Sequence, residues 1–349
     1  MRTKQAKFLS MKKPGCFWYL LAFFLCPLVA AISAELDLRL SGEAGLYRAQ
    51  TQLQTSEANF LSRFSGWLKL QETADRSAWN LSLQLKPELY QGDLSYSVLK
   101  FISRGQFSQA KNSWQWGLGF DARKYSYFSI NQNSSFDFFK LEGFFSSYFS
   151  RKFNLSLIPA YYYRDLTTQQ LDAFSGDFSF SAISGNKFNI GLGGYLENFR
   201  LSADPFPSFA TARQSNVGWR YGPEFTLNYL KKIYFSLRYI FLWHRSEITV
   251  SPSYEQYLRL FISRKIAKNW IMFFVVDYFW NDIQLQNLQD EMLLYIPFEN
   301  ENHVDLKLEK LIQKNIFLSG RIGYFKDNYI LPEFSVEGWQ ALLGLELEY

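Results

Sequence analysis

Few residues in this chain could do chemistry. His244 and His303 are the only histidines among 349 residues, and the only cysteines, Cys16 and Cys26, fall within the first 34 positions. His244 is followed by Arg245-Ser246. A hydrolase acting on lipid would need a serine and a histidine on an outer face with an asparagine behind the histidine. On the alternation of its strand His244 points inward and no serine has a distinctive setting, so a solvated interfacial histidine is expected. His303 stands near Glu301 and Asp305 without further partners at ligand spacing, so no metal site is expected. Gly191-Leu-Gly193-Gly194 lacks the lysine and the following helix of a phosphate loop; inside a strand it gives room for packing or curvature. No catalytic constellation and no cofactor site is expected.

The elements that would position such residues begin after residue 34. Residues 1–34 hold five basic and no acidic side chains, then an apolar run from Phe17 to Ile32 and small residues, the layout of a secretory signal peptide. Cleavage after Ala31 or Ser33 fits the small-residue rule, and the Met11-Lys-Lys start would by itself begin a complete leader. From Glu35 on, 32 basic and 32 acidic residues balance and no cysteine remains. That excludes a bulk basic field for nucleic acid, a disulfide-stapled fold and any thiolate chemistry. An aromatic share of 19% excludes solvated disorder.

The dominant periodicity is two. Trp114, Trp116, Leu118 and Phe120 alternate with Gln115, Gly117, Gly119 and Asp121; Trp339, Ala341, Leu343, Leu345 and Leu347 alternate with Gln340, Leu342, Gly344, Glu346 and Glu348. Short connectors such as Lys111-Asn112, Lys231-Lys232 and Lys314-Asn315 alternate with longer polar ones, Gln50–Asn59, Arg164–Gly176, Ser202–Asn216 and Asn281–Asn302 among them. Tight turns at one end and longer loops at the other describe a transmembrane barrel. The reading is all-β: residues 35–349 form a single antiparallel up-and-down barrel of about 16 strands, with 14 as the alternative because 94–107 changes phase midway and 177–183 is short. An even count puts both termini on the tight-turn side. Outward apolar faces would meet lipid, with aromatic girdles from Trp79, Trp114 and Trp270 at one rim and Tyr47, Tyr127, Trp243 and Trp280 at the other.

The last strand carries the most specific feature. Gly344, Leu347 and Tyr349 resemble the C-terminal assembly signal of bacterial outer-membrane β-barrel proteins, the porin-like superfamily; Leu342 departs from it, where a polar residue is usual. The resemblance names no particular family. It implies export to the outer membrane of a Gram-negative envelope, contact with membrane lipid and insertion by the barrel assembly machinery.

If apolar positions face lipid, the charged ones face a lumen. Inward positions include Arg39, Arg63, Lys69, Lys86, Glu88, Asp121, Arg123, Asp305, Lys307, Glu346 and Glu348, with mixed signs and no long single-sign stripe. The expected pore lining is Arg220, Glu224, Arg238, Arg259, Asp277, Glu309 and Arg321. Reflection about Lys231 sets Glu224 opposite Arg238, and reflection about Lys314 sets Lys307 opposite Arg321. Sixteen strands enclose room for water, whereas eight are filled. The expected function is therefore a passive diffusion channel for small polar solutes and not an enzyme. The alternative is a closed barrel serving as a surface or assembly partner through the 202–216 and 281–302 loops; an outer-membrane hydrolase would rest on His244 alone. With no connector longer than about 22 residues, an inward-folded constriction loop is not expected, although the apolar Met292-Leu-Leu-Tyr-Ile-Pro297 fits either an exposed contact or an inward fold.

Overall fold

The computed structural model describes residues 34–50, 59–91, 96–129, 133–150, 152–166, 169–184, 187–203, 215–287, 290, 293–295, 302–327 and 336–349. The signal-peptide segment lies outside them, apart from Ala34, as do Met292, Ile296 and Pro297. The chain divides into two units, Met1–Glu35 and Leu36–Tyr349, and the second holds the strands apart from the first residue of β1.

Sixteen antiparallel strands close on themselves: β1 (Glu35–Gln50), β2 (Asn59–Thr73), β3 (Ser77–Tyr90), β4 (Tyr96–Lys111), β5 (Trp114–Ser129), β6 (Asn133–Ser150), β7 (Phe153–Leu166), β8 (Gln169–Ser184), β9 (Phe188–Ala203), β10 (Ser215–Leu230), β11 (Ile233–Ser246), β12 (Thr249–Ala267), β13 (Trp270–Leu285), β14 (Asn302–Gln313), β15 (Ile316–Asp327) and β16 (Val336–Glu348). Each pairs with its sequence neighbours, and β1 closes the ring on β16 in a register that sets Leu40 against Leu347 and Arg39 against Glu348. The barrel is thus an up-and-down one with no free edge.

At the end that holds both termini every connection is two or three residues long. Asn112 and Asn315 turn the chain there with φ of 52° and 68°, the left-handed region that asparagine tolerates better than most residues. The turn at Lys231-Lys232 pairs Leu230 with Tyr234, so it is centred on Lys232. Glu224 consequently faces Ile240, and Arg238 faces Thr226, a register two residues away from the reflection about Lys231; Lys307 does face Arg321.

The outward phase is apolar. Leu118, Leu157, Phe174, Phe178, Leu192 and Leu343 are all exposed there. Trp270 and Phe153 mark the tight-turn rim, while Trp219, Trp243, Trp280 and Trp339 mark the long-loop rim. An apolar exterior rimmed by aromatic residues is the pattern expected of a membrane-spanning barrel. Tyr47 and Tyr127 are not part of the girdle. Tyr47 is buried against Leu61 and Leu342, and Tyr127 packs on the cluster of Val98, Tyr125, Phe136 and Phe138.

Two segments differ from the sequence reading. β8 begins at Gln169 rather than near 177, and β11 and β12 are joined across Glu247-Ile248 without a longer loop. In β8, Leu171 and Ala173 point inward and are buried while Phe174 points outward, so both faces are apolar and the period-two signal vanishes. Leu342, the departure from the assembly signal, has a related cause: it is an inward residue that packs in the lumen.

Candidate functional site

The lumen differs between its two ends. Near the long loops its inward side chains pack into apolar clusters: Tyr47, Leu61 and Leu342; Val98, Tyr125, Phe136 and Phe138; and Leu171, Ala173, Phe199, Leu201 and Tyr295. Tyr90 touches the first two clusters and Tyr162 the last two, so the clusters join into a continuous stratum. Toward the tight turns the inward phase is polar and charged.

Tyr295 belongs to no strand. It comes from the connector 286–301, which leaves β13 and re-enters at β14, yet its partners lie on β7, β9 and β10. Its hydroxyl is 2.9 Å from that of Tyr162, its ring centroid is 4.8 Å from Phe199, and the guanidinium of Arg220 lies 4.7 Å above it. Arg164 sits 5.7 Å from the same ring. Asn216 on β10 donates to the Leu293 carbonyl at 3.0 Å, a second tether. Burial raises the pKa of the Tyr295 phenol, which keeps the hydroxyl neutral. Through Leu293 and Tyr295 the connector therefore straps across the β7–β13 sector of the lumen. An inward-folded loop was not expected from its length, yet Leu293 and Tyr295 of this 16-residue connector bond to Asn216 on β10 and Tyr162 on β7.

Beneath the strap lies a buried charge cluster. Arg220 donates to both Glu255 oxygens from Nε at 3.0 and 3.1 Å, to Glu255 Oε2 from Nη2 at 2.6 Å, and to Glu197 from Nη1 at 2.9 Å. Tyr162 and Tyr195 donate to Glu197, and Tyr257 donates to Glu255. His244 Nδ1 is 2.5 Å from Glu255 Oε1, and its ring rests against Phe199. His244 is thus a buried member of this cluster, not a solvated interfacial side chain, and it points into the lumen. A charged group this deep persists only because its partners replace the water it has lost.

Below the cluster opens a cavity of about 380 Å³ walled by Lys140, Asp177, Tyr195, Arg238, Arg259 and Asp277 and roofed by Tyr162, Arg220, Tyr257 and Tyr295. Arg238 and Arg259 face each other directly across β11 and β12. Like charges opposed in this way destabilise a sheet unless each is answered. Arg238 donates to Glu224 at 2.7 Å and to Asp177 at 2.9 Å, and Arg259 donates to Asp277 at 2.6 Å.

Of the expected lining residues, Arg220, Arg238, Arg259 and Asp277 border this cavity, and Glu224 lies behind Arg238. Glu309 and Arg321 lie elsewhere in the lumen, with Lys307 2.6 Å from Glu309 and Arg321 3.6 Å from Glu43. His303 sits 3.8 Å from Asp277. Sequence reasoning missed Glu197 and Glu255, the two carboxylates that hold Arg220. The alternation in β9 and β12 carried the signal: Glu197 is out of phase with the outward, exposed Leu192 and Leu196, and Glu255 is in phase with Arg259.

No protein-family model matches the chain, and no curated protein matches it in sequence. Similar solved structures include CdiB from Acinetobacter baumannii, at 13% identity and a TM-score of 0.48, aligned over 90% of this chain; the chain spans 60% of that protein's length. A TodX deltaS2S3 mutant monoaromatic hydrocarbon channel aligns over 92% of this chain and 91% of its own at 10% identity and a TM-score of 0.42. OccAB1 from Acinetobacter baumannii aligns over 90% and 96% at 8% identity and a TM-score of 0.43.

Proposed function

We propose that the chain is an outer-membrane β-barrel that passes small polar solutes by passive diffusion, its narrowest section lying where Tyr295 meets Arg220 and Tyr162. The observation that carries the reading is the pairing of an apolar exterior with a charged interior around a 16-stranded ring, above a cavity of about 380 Å³. A wall of that size encloses more space than its own side chains fill. Export, lipid contact and insertion by the barrel assembly machinery belong to the same reading, as does the absence of enzymatic chemistry. Single-channel recording of refolded protein in a planar bilayer tests it: discrete conductance steps are expected, and their absence under all voltages would sink the channel.

A second reading is favoured by one specific observation. The apolar stratum and the buried Glu197–Arg220–Glu255 cluster occupy the long-loop end, so the resting barrel is narrow or shut there. On that reading the protein is a closed barrel acting through its loops as a surface or assembly partner, and the strap is a structural plug.

A further inference from the structure

The inward charges of β2–β5 do not balance. Strand register gathers onto this wall six cations that are scattered over 60 positions of sequence: Arg63, Lys69, Lys86, Lys100, Arg104 and Arg123. Among the described residues, the inward phase of these four strands offers two carboxylates, Glu88 and Asp121. Lys86 and Lys100 face each other directly, and both reach the same oxygen, Glu88 Oε1, at 2.9 and 3.1 Å. Arg63 approaches that oxygen to 3.9 Å, and Tyr90 donates to the other one at 3.1 Å. One carboxylate thus serves three cations. Lower on the wall Asp121 serves two: Arg104 donates to it at 3.1 Å and Arg123 at 2.5 and 3.0 Å.

Lysine set against lysine is unfavourable in a sheet; Glu88 offsets part of that charge, and the inward phase of the four strands keeps a net positive count. The exposed part of the wall is cationic: the Arg104 side chain is half exposed and that of Lys86 about a third, while Glu88 is almost wholly covered. A concave surface of one sign with low-dielectric walls concentrates counter-ions. Ammonium and guanidinium groups suit an oxyanion, because its oxygens can each take a charge-assisted hydrogen bond.

We propose that the β2–β5 wall is a binding site for small oxyanions, phosphate and carboxylate being the shared chemistry, on the lumenal side of the barrel. The proposal rests on the lumen being reachable by solute, as the channel reading requires, but its ligand and residues are its own. Refolded full-length protein in detergent is titrated with inorganic phosphate by calorimetry, and the same protein is recorded in planar bilayers with and without phosphate. Replacing Lys86 and Lys100 together by glutamine should weaken phosphate binding about tenfold or more, since each charge-assisted contact is strong. Arg104→Gln, at a half-exposed position that folding tolerates, should weaken it severalfold. Glu88→Gln removes the competing carboxylate and should tighten it, and raising the ionic strength should weaken binding in every variant. Wild-type protein that binds no phosphate, or variants that all bind as wild type does, would overturn the site. Conductance steps without any phosphate binding would refute the site and leave the channel standing; phosphate binding without conductance would do the reverse.

Discussion

Two sectors of one lumen treat charge in opposite ways. Under the strap in β7–β13 the charges are buried and answered: Arg164 and Arg220 lie among Glu197 and Glu255, and the cluster is capped by Tyr295. In β2–β5 five cations share Glu88 and Asp121, and the surplus faces the lumen. The first arrangement holds a strap in place. The second, left unbalanced in a wall that must still fold, is organised toward a solute. Buried neutrality marks structure here, and exposed imbalance marks interaction.

The sharpest way to break the contrast is to unbalance the balanced sector. Arg220→Met leaves Glu197 and Glu255 buried without their guanidinium, and an unpaired buried charge costs about 3–5 kcal/mol. Urea unfolding followed by heat-modifiable migration should show a loss of that order, whereas removing one cation from the β2–β5 wall should relieve repulsion and leave stability nearly unchanged. Next in size is Tyr295→Ala. Truncating a buried aromatic costs about 3–5 kcal/mol in a tightly packed core, and less at a connector free to move away. The expected result is a modest drop in stability with a clear rise in single-channel conductance; unchanged conductance would show that the strap does not form the narrowest section. The smallest effect is expected on the outer face of the barrel. Lys124 and Asp137 pair at 3.0 Å on an exposed surface, so Lys124→Ala should shift stability by about 0–1 kcal/mol in the same unfolding assay.

The strands were legible in the sequence wherever the alternation was clean. In β10, and in β16 apart from Leu342, outward apolar residues alternate with polar or glycine positions, and there strand, phase and inward residues could be read; in β5 the strand could be read but Tyr127 was assigned to the wrong face. In β4 they could not: Val98 and Ile102 point inward while Leu99 and Phe101 point outward, so both faces look apolar and the phase blurs. Lys100 and Arg104 were lost from the inward set for that reason, and with them the surplus on β2–β5 that the mixed signs had concealed. The strap was lost differently. Nothing in the spacing of Leu293 and Tyr295 says whether an apolar stretch in a connector turns out to a partner or in to the lumen.

The sequence by itself determined the barrel: an up-and-down ring of about sixteen strands, with fourteen left open until the structure settled the count, its neutral and cysteine-free wall, its apolar exterior and the side on which the termini fall. These follow from local chemistry, since period-two alternation and turn residues act over a few positions. Only the tertiary structure decided what fills the ring. Closing β1 on β16 brings Tyr295 of connector 286–301 over β7, and the register places Lys86 against Lys100 and Arg220 between Glu197 and Glu255. Charges far apart in the chain acquire a meaning only when strands set them side by side, because electrostatic and packing energies depend on distance in space.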